Sequence, residues 1–212
     1  MNMSELLKKL ETYADSDYLP MHMPGHKRRM GDLGNPFFID ITEIDGFDDL
    51  HHAEGILKQA EERAAELYGS EETHYLVNGS TSGILAAISG CTAAGGTVLL
   101  ARNSHKSAYH AVLLRGLHVH YIYPQPAGKM GINGPVTAEN VDRLLEEHPE
   151  TKMVYITSPT YDGVVSDVEQ IAEVVHRRKL PLIVDEAHGA HFPFSEQFPK
   201  DSVSCGADVV IH

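Results

Sequence analysis

The sequence predicts an α/β fold built on a mostly parallel β-sheet. From residue 73 onward, strand-like segments alternate with helix-like segments, which is the pattern of repeated βαβ units. Two of the strand-like segments contain the continuous apolar runs Val98–Leu100 and Val209–Ile211. Such runs are typical of parallel strands that helices cover on both faces. With 42% hydrophobic and 22% charged residues in 212, the composition is that of a globular chain.

The first 50 residues predict a short helix followed by an arm rich in loops. Leu6, Leu7 and Leu10 fall on one side of a helix over residues 4–14. Residues 18–49 then contain repeated prolines and glycines, which interrupt regular structure. We therefore expect residues 1–50 to form an N-terminal helix and arm, and residues 51–212 to form the start of the α/β domain.

Apolar periodicity assigns the remaining elements in order. A helix over residues 55–68 is expected to end at Gly69, and Thr137 is expected to cap a later helix. The uncharged stretch 75–101 is broken by small polar residues and glycines, so we interpret it as buried strands and a helix rather than a membrane span. The predicted strands cover 73–77, 97–101, 117–123, 153–157, 182–184 and 207–211, and the predicted helices cover 81–93, 104–115, 137–147 and 168–179.

Charge and cysteine content exclude some classes of partner. The chain carries 30 acidic and 17 basic residues, a formal net charge of -13, which repels nucleic acid. The N-terminus lacks the long apolar stretch of a signal peptide, and two cysteines cannot form a disulfide framework. We expect a cytoplasmic protein that binds neither nucleic acid nor membranes. Its 14 histidines are unusually many, because histidine averages roughly 2% of residues.

Polar residues follow the predicted strands at their carboxyl ends, where parallel sheets bind ligands. The turn Asn78–Gly83 offers hydroxyls and amide groups at a helix N-terminus, which suits a phosphate but also an ordinary helix cap. His105 follows the next strand, and Ser158–Gly163 is a polar loop after a third. Asp185 directly follows a buried strand, where a carboxylate needs a cationic partner. A phosphorylated heteroaromatic cation would satisfy all four strand ends.

This combination resembles the Orn/Lys/Arg decarboxylases, which are pyridoxal-phosphate enzymes of the type I aminotransferase-like fold, and is closest to their shorter bacterial members. The resemblance covers nearly the whole chain and implies a three-layer large domain with a mostly parallel sheet. It rests on several motifs in the family's order, namely His22–Lys27, Asp45–His52, Asn78–Gly83, Asn103–Ser107, Pro159–Gly163 and Asp185–Gly189.

The resemblance implies a role for each matched residue toward pyridoxal 5'-phosphate. Ser80, Thr81 and Ser82 would hold the phosphate, and His105 would stack on the pyridine ring. Asp185 would pair with the ring nitrogen and keep it protonated, so that the ring can take up electron density when carbon dioxide leaves. His105 and Asp185 are therefore the expected catalytic residues.

Further assignments follow from the same resemblance. Ala187 would pack on the opposite ring face, and His188 would reach the phenolic oxygen of the cofactor. His22 and His26 would lie near the interface of a homo-oligomer, at least a dimer in the whole enzyme. The expected reaction is decarboxylation of arginine, lysine or ornithine to a polyamine-type amine, and no metal is expected.

One family feature is missing from the sequence. In the family, the lysine that forms the Schiff base follows a Ser-x-His-Lys run just after a strand like Gly206–Ile211, and the present sequence stops at His212. We therefore expect an N-terminal fragment whose large domain is incomplete at the C-terminus and which is inactive by itself.

Three other interpretations stay open at the level of sequence. The first is an aminotransferase or another lyase of the same fold, because the electron-sink residues are shared across it. The second is a metal hydrolase that uses Asp185, His188 and His191. The third is a non-catalytic cofactor-binding remnant.

Overall fold

The computed structural model describes residues 5–19, 34–38, 40–42, 44–128 and 131–212. The chain divides into two compact units, residues 1–47 and 48–212. In the first unit, helix α1 spans Glu5–Ala14 and confirms the predicted N-terminal helix, and a 3₁₀ turn spans Pro36–Phe38. The matched motif His22–Lys27, with the predicted interface residues His22 and His26, lies outside the described residues.

The second unit is an α/β fold in which helices and strands alternate as predicted from residue 79 to residue 185. Most boundaries lie within three residues of the expected ones. Thr137 caps α5 as expected, since its Oγ accepts the amide of Asn140 at 3.3 Å. The elements are α2 Ile56–Tyr68, α3 Gly79–Cys91, β1 Thr97–Ala101, α4 Lys106–Arg115, β2 His118–Ile122, α5 Ala138–Glu147, β3 Thr151–Thr157, α6 Val168–His176, β4 Leu182–Asp185 and β5 Val209–Ile211.

In the described residues, five strands form one parallel sheet in the order β2-β1-β3-β4-β5. The residues of β1 show that helices cover both faces of the sheet. Val98 and Leu100 pack with the buried residues of α3 and α4, whereas Leu99 and Ala101 pack with those of α5 and α6. Alternate side chains of a strand point to opposite faces, so the sheet is the middle of three layers. This arrangement confirms the predicted three-layer α/β fold.

The predicted strand over residues 73–77 is wrong. This segment is irregular in the structure, and Tyr75, Leu76 and Val77 are exposed. The amide of Tyr75 donates to Oε1 of the buried Glu61 at 3.2 Å, and its hydroxyl donates to the carbonyl of Ala60. Because residues of α2 accept the amide and the hydroxyl of Tyr75, the segment packs along that helix instead of pairing with the sheet.

The start of α2 explains part of the matched motif Asp45–His52. The Asp48 carboxylate accepts amide hydrogen bonds of 2.8–3.1 Å from Asp49, Glu54, Gly55 and Leu57. These bonds lower the pKa of Asp48 to about 2, although partial desolvation opposes them. Asp48 therefore satisfies donors that the first turn of a helix leaves unpaired. At the other end, α2 stops at Gly69 in a left-handed conformation, as predicted.

Within the described ranges, none of the helices is both long and apolar enough to cross a bilayer.

Candidate active site

The carboxyl ends of β3, β4 and β5 lie side by side. Thr157 is in register with Asp185, which is in register with Ile211. The polar segments that follow continue this alignment, because the amide of Ser158 donates to the Asp185 carbonyl at 3.0 Å. The amide of Glu186 likewise donates to the Ile211 carbonyl at 2.8 Å. The loops after β3 and β4 therefore start from one edge of the sheet, as predicted from sequence, and the end of β5 lies beside them.

Asp185 is a buried carboxylate at the end of β4, with 5% of the residue exposed. The Tyr155 hydroxyl donates to Oδ2 at 3.2 Å and the Ala187 amide donates to Oδ1 at 3.3 Å. Burial raises the pKa of the Asp185 carboxyl, while these two donors and the charges of His105 and His188 act in the opposite direction. The net shift is upward, so the carboxylate would gain from a cation placed beside it.

Tyr155 is a site residue that the sequence analysis did not identify. It is fully buried in the middle of β3, and burial together with the adjacent Asp185 raises the pKa of its hydroxyl. The hydroxyl therefore stays protonated and donates to the carboxylate. The sequence feature that could have identified Tyr155 is a tyrosine placed among the apolar residues of the predicted strand Met153–Thr157.

His105 caps helix α4 with its ring. Its Nδ1 accepts the Ser107 amide at 3.3 Å and lies 2.8 Å from the Ser107 hydroxyl. An acceptor at Nδ1 places the proton of the neutral ring on Nε2. These two contacts hold the ring in one orientation although the residue is exposed. His105 follows β1, which pairs with β3, and β3 in turn pairs with the strand that ends at Asp185.

The three predicted phosphate-binding hydroxyls lie in the first turn of α3, as the sequence indicates. The N-cap residue Asn78 makes no side-chain capping hydrogen bond to this helix. Ser80 Oγ donates to the carbonyl of His212 at 3.1 Å, and Ser82 Oγ donates to the carbonyl of Gly79 at 2.9 Å. The first bond places the α3 N-terminus beside the end of β5, and hence near the edge that carries Asp185.

Ala187 and His188 are exposed on the turn that follows Asp185. The His188 ring makes an edge-to-face contact with Tyr161, with centroids 5.5 Å apart, and so joins this turn to the loop after β3. Gly189 lies at the junction where this turn packs tightly against the loop after β3. A Cβ there would lie 2.7 Å from Glu186 Cγ and 2.8 Å from Pro159 Cδ, so no larger residue fits without movement.

Glu186 is a second buried carboxylate, next to Asp185, to which the sequence analysis gave no role. It is 1% exposed and accepts the amide and hydroxyl of Ser202 at 3.0 and 2.7 Å. His212 Nε2 lies 3.0 Å from Oε2, and the His212 ring lies 4.6 Å from the Tyr68 ring. Glu186 therefore fastens the turn after β4 to the end of β5. An acidic residue directly after Asp185 was the only local signal.

The set Asp185, His188 and His191 does not form a metal-binding group in the part of the chain that the structure describes. His191 instead packs edge-on against the rings of Phe192 and Phe198, at 5.1 and 4.5 Å between centroids. The geometry gives no support to a metal hydrolase at this edge of the sheet.

Comparison with known proteins agrees with the family resemblance seen in the sequence. A family model described as the major domain of Orn/Lys/Arg decarboxylases matches residues 4–212. The chain is 39% identical over 218 aligned residues to the uncharacterized protein YaaO of Bacillus subtilis, covering 97% of this chain and 44% of that protein. It is 35% identical over 208 residues to the arginine decarboxylase of Bacillus subtilis, covering 94% and 42%. The chain therefore spans less than half the length of these relatives.

A solved structure supports the fold. The pyridoxamine-pyruvate aminotransferase of Mesorhizobium loti matches with a TM-score of 0.56 at 17% identity, over 72% of this chain and 37% of that one. Identity at this level shows a shared fold and nothing more. The aminotransferase-like α/β architecture predicted from the sequence is confirmed.

Proposed function

This chain belongs to the Orn/Lys/Arg decarboxylase family, and we propose that it serves the pyridoxal 5'-phosphate-dependent decarboxylation of a basic amino acid. The observation that carries the proposal is Asp185, a buried carboxylate with a raised pKa at the end of a central strand. The relative named arginine decarboxylase favours arginine, with lysine and ornithine as the alternatives given by the family description. The product would be a polyamine-type amine.

The residues at this edge of the sheet fit the cofactor. A pyridinium nitrogen beside Asp185 would supply the cation that its buried carboxylate lacks. The amides and hydroxyls of Ser80, Thr81 and Ser82 would bind the phosphate at the positive end of the α3 dipole. When bound, pyridoxal 5'-phosphate supplies an electron sink for the density that loss of carbon dioxide leaves at the substrate Cα.

Each remaining site residue then has a positioning task. His105, held by Ser107, would lie against one face of the ring, and Ala187 against the other. His188, anchored by Tyr161, would reach the phenolic oxygen. Asp185 would hold a proton on the ring nitrogen throughout, and Tyr155 would keep Asp185 oriented.

The larger organisation is part of the same proposal. Residues 51–212 would be part of the cofactor-binding large domain and residues 1–50 its N-terminal arm. The protein would act in the cytoplasm as a homo-oligomer, at least a dimer. Residues 1–212 contain no Ser-x-His-Lys run, so the isolated 212-residue chain would not turn over substrate.

The first experiment measures cofactor binding by this chain itself. Pyridoxamine 5'-phosphate is a suitable probe, because its amine cannot form a Schiff base with lysine and so reports only the non-covalent pocket. We expect saturable binding in equilibrium dialysis, weakened at least 10-fold by Asp185→Ala, since a lost charge-assisted contact costs on the order of 1.5–3 kcal/mol. Asp208→Ala is the control, because Asp208 lies at the opposite end of the sheet, where it pairs with His176 and accepts the Leu182 amide.

Substrate and reaction are tested on a protein that contains this chain and is as long as its relatives. Arginine, lysine and ornithine are supplied in turn, and carbon dioxide, amine and 2-oxo acid are measured. The proposal requires equal amounts of carbon dioxide and amine. Formation of a 2-oxo acid without carbon dioxide would instead identify an aminotransferase. Equal cofactor affinity in the parent and in Asp185→Ala would contradict the proposed role of Asp185 in cofactor binding.

A further inference from the structure

We propose that His120, His148 and Glu150 form a binding site for a divalent transition-metal ion of the Zn²⁺ type. Within the described ranges, these residues are the one set of three histidine, cysteine, aspartate or glutamate side chains whose ligand atoms all lie within 4.8 Å of one another. The set uses two of the 14 histidines, and neither of them belongs to the motifs that match the decarboxylase family.

Two pieces of backbone, strand β2 and the turn after α5, place the ligands together. His120 lies in β2, an edge strand of the sheet, in register with Leu99 of β1. His148 is the C-cap of α5, where its amide donates to the Leu144 carbonyl at 2.9 Å. The amide and hydroxyl of Thr151 then bind the His148 carbonyl at 3.1 and 2.7 Å, which fixes the turn that presents Glu150.

The distances between ligand atoms suit tetrahedral coordination. Glu150 Oε1 lies 3.5 Å from His120 Nε2 and 3.7 Å from His148 Nδ1. Ligands that sit about 2.1 Å from a tetrahedral Zn²⁺ are about 3.4 Å from each other. Contraction by a few tenths of an ångström would therefore bring both pairs to the spacing that the ion requires.

The two imidazole rings would move when the ion binds. They are stacked, with centroids 3.4 Å apart and planes 10° from parallel, so their in-plane lone pairs do not yet converge. The terminal ring torsion of histidine is broad, and a rotation about it tilts each lone pair toward a common point at little cost. Metal binding would thus replace ring stacking with coordination while the backbone stays in place.

The ligand types and exposure point to the same kind of ion. Two imidazoles and one carboxylate are ligands that Zn²⁺ prefers, and three protein ligands leave a fourth position for water. The side chains of His120, His148 and Glu150 are 36%, 27% and 51% exposed, so an ion can reach them. His148 and Glu150 precede β3, whereas the loop Ser158–Gly163 follows it, so the two sites use opposite ends of that strand.

The test uses the purified chain without a histidine tag, stripped of metal by a chelator and titrated with Zn²⁺ against a chromophoric competitor near neutral pH. We expect one equivalent to bind specifically. His148→Ala and Glu150→Gln should each weaken binding by at least about 100-fold, since even groups that only orient ligands contribute 10–100-fold. His176→Ala is the matched control, because His176 pairs with a single carboxylate, Asp208, at 2.9 Å. Its affinity should equal that of the parent.

A second variant separates coordination from a structural role. His148→Cys removes the stacked ring but keeps a metal ligand, so it should retain stoichiometric binding, and its Co²⁺ complex should gain a sulfur-to-metal charge-transfer band. Thermal melts of the metal-free variants identify any that fail to fold. Absence of one specifically bound equivalent, or equal affinity in His148→Ala, Glu150→Gln and His176→Ala, would overturn the proposal.

Discussion

Replacing Gly189 with alanine should destabilise the domain and disturb the two loops of the candidate site. The new Cβ would lie 2.7 Å from Glu186 Cγ, 2.8 Å from Pro159 Cδ and 3.2 Å from Phe192 Cε2. Neither of the two nearest atoms can yield easily. Glu186 is held by Ser202 and His212, and the proline ring is rigid. Overpacking a tight junction costs about 1–3 kcal/mol, and two contacts this short place Gly189→Ala near the upper end.

The assay compares melting temperatures for the same chemical change at two glycines. A cost of about 3 kcal/mol corresponds to a decrease of about 6–12 °C in a domain of this size. Gly90, in helix α3, is the matched control, because a Cβ there meets nothing within 4 Å. Alanine in a helix is favoured over glycine by about 0.5–1 kcal/mol, so Gly90→Ala should raise the melting temperature by about 1–4 °C.

The two substitutions should therefore shift the melting temperature in opposite directions. Gly189→Ala should also weaken binding of pyridoxamine 5'-phosphate, because Glu186 and Pro159 adjoin the ends of β4 and β3. Equal melting temperatures for Gly189→Ala and the parent would refute the packing argument. A stable Gly189→Ala protein with unchanged binding would refute the role of this junction in the site.

Three further substitutions test single interactions. Tyr155→Phe removes a donor to Asp185, so it should lower the free energy of unfolding by about 1–2 kcal/mol at pH 7 and by less at pH 4, where more of the carboxyl is protonated; thermal melts at both values check this, and equal losses would contradict it. Asp48 has a folded-state pKa of about 2, below its ordinary 3.8, so the stability it contributes is present above pH 4 and is lost as the pH falls toward 2. Acid unfolding of Asp48→Asn should accordingly be less steep in that interval, and an unchanged profile would argue against the capping role. Thr137→Ala should cost about 1 kcal/mol, or about 2–4 °C, through loss of the α5 cap, and a silent variant would show that water replaces it.

Local signals accounted for most of the secondary structure. The spacing of apolar residues is a property of short segments, so the bounds of β1 and of its neighbouring elements were predicted to within a few residues. Residues 73–77 show where this fails. Tyr75-Leu76-Val77 has the composition of a strand, but the side chain of Glu61, 14 residues earlier, takes the amide that a strand would need. A competing partner that distant is invisible in a local pattern.

The candidate site shows the same division. His105 and Asp185 could be anticipated because His105 lies in the loop after β1 and Asp185 ends β4, and the carboxyl ends of parallel strands share one edge of the sheet. The clasp of Glu186 to Ser202 and His212 joins residues 16 and 26 positions apart through tertiary structure. Likewise, His120 and His148 belong to none of the motifs that the sequence analysis singled out. Their approach depends on how the end of α5 packs beside β2, which no spacing in the sequence encodes.

The order of the strands gives the proposed cofactor site its polarity. Asp185 ends β4, and the neighbouring end of β5 is linked through His212 to Ser80 at the N-terminus of α3. One edge of the sheet therefore presents a buried carboxylate and a positive helix end, contributed by segments about a hundred residues apart. A ligand with a cationic ring and an anionic phosphate complements both, and its ring nitrogen would reverse the upward pKa shift of Asp185. Since such a ligand binds only the folded chain, it should also raise the melting temperature in proportion to the logarithm of its concentration. Asp185→Ala should shift that rise to ligand concentrations at least 10-fold higher, because the variant binds the ligand more weakly.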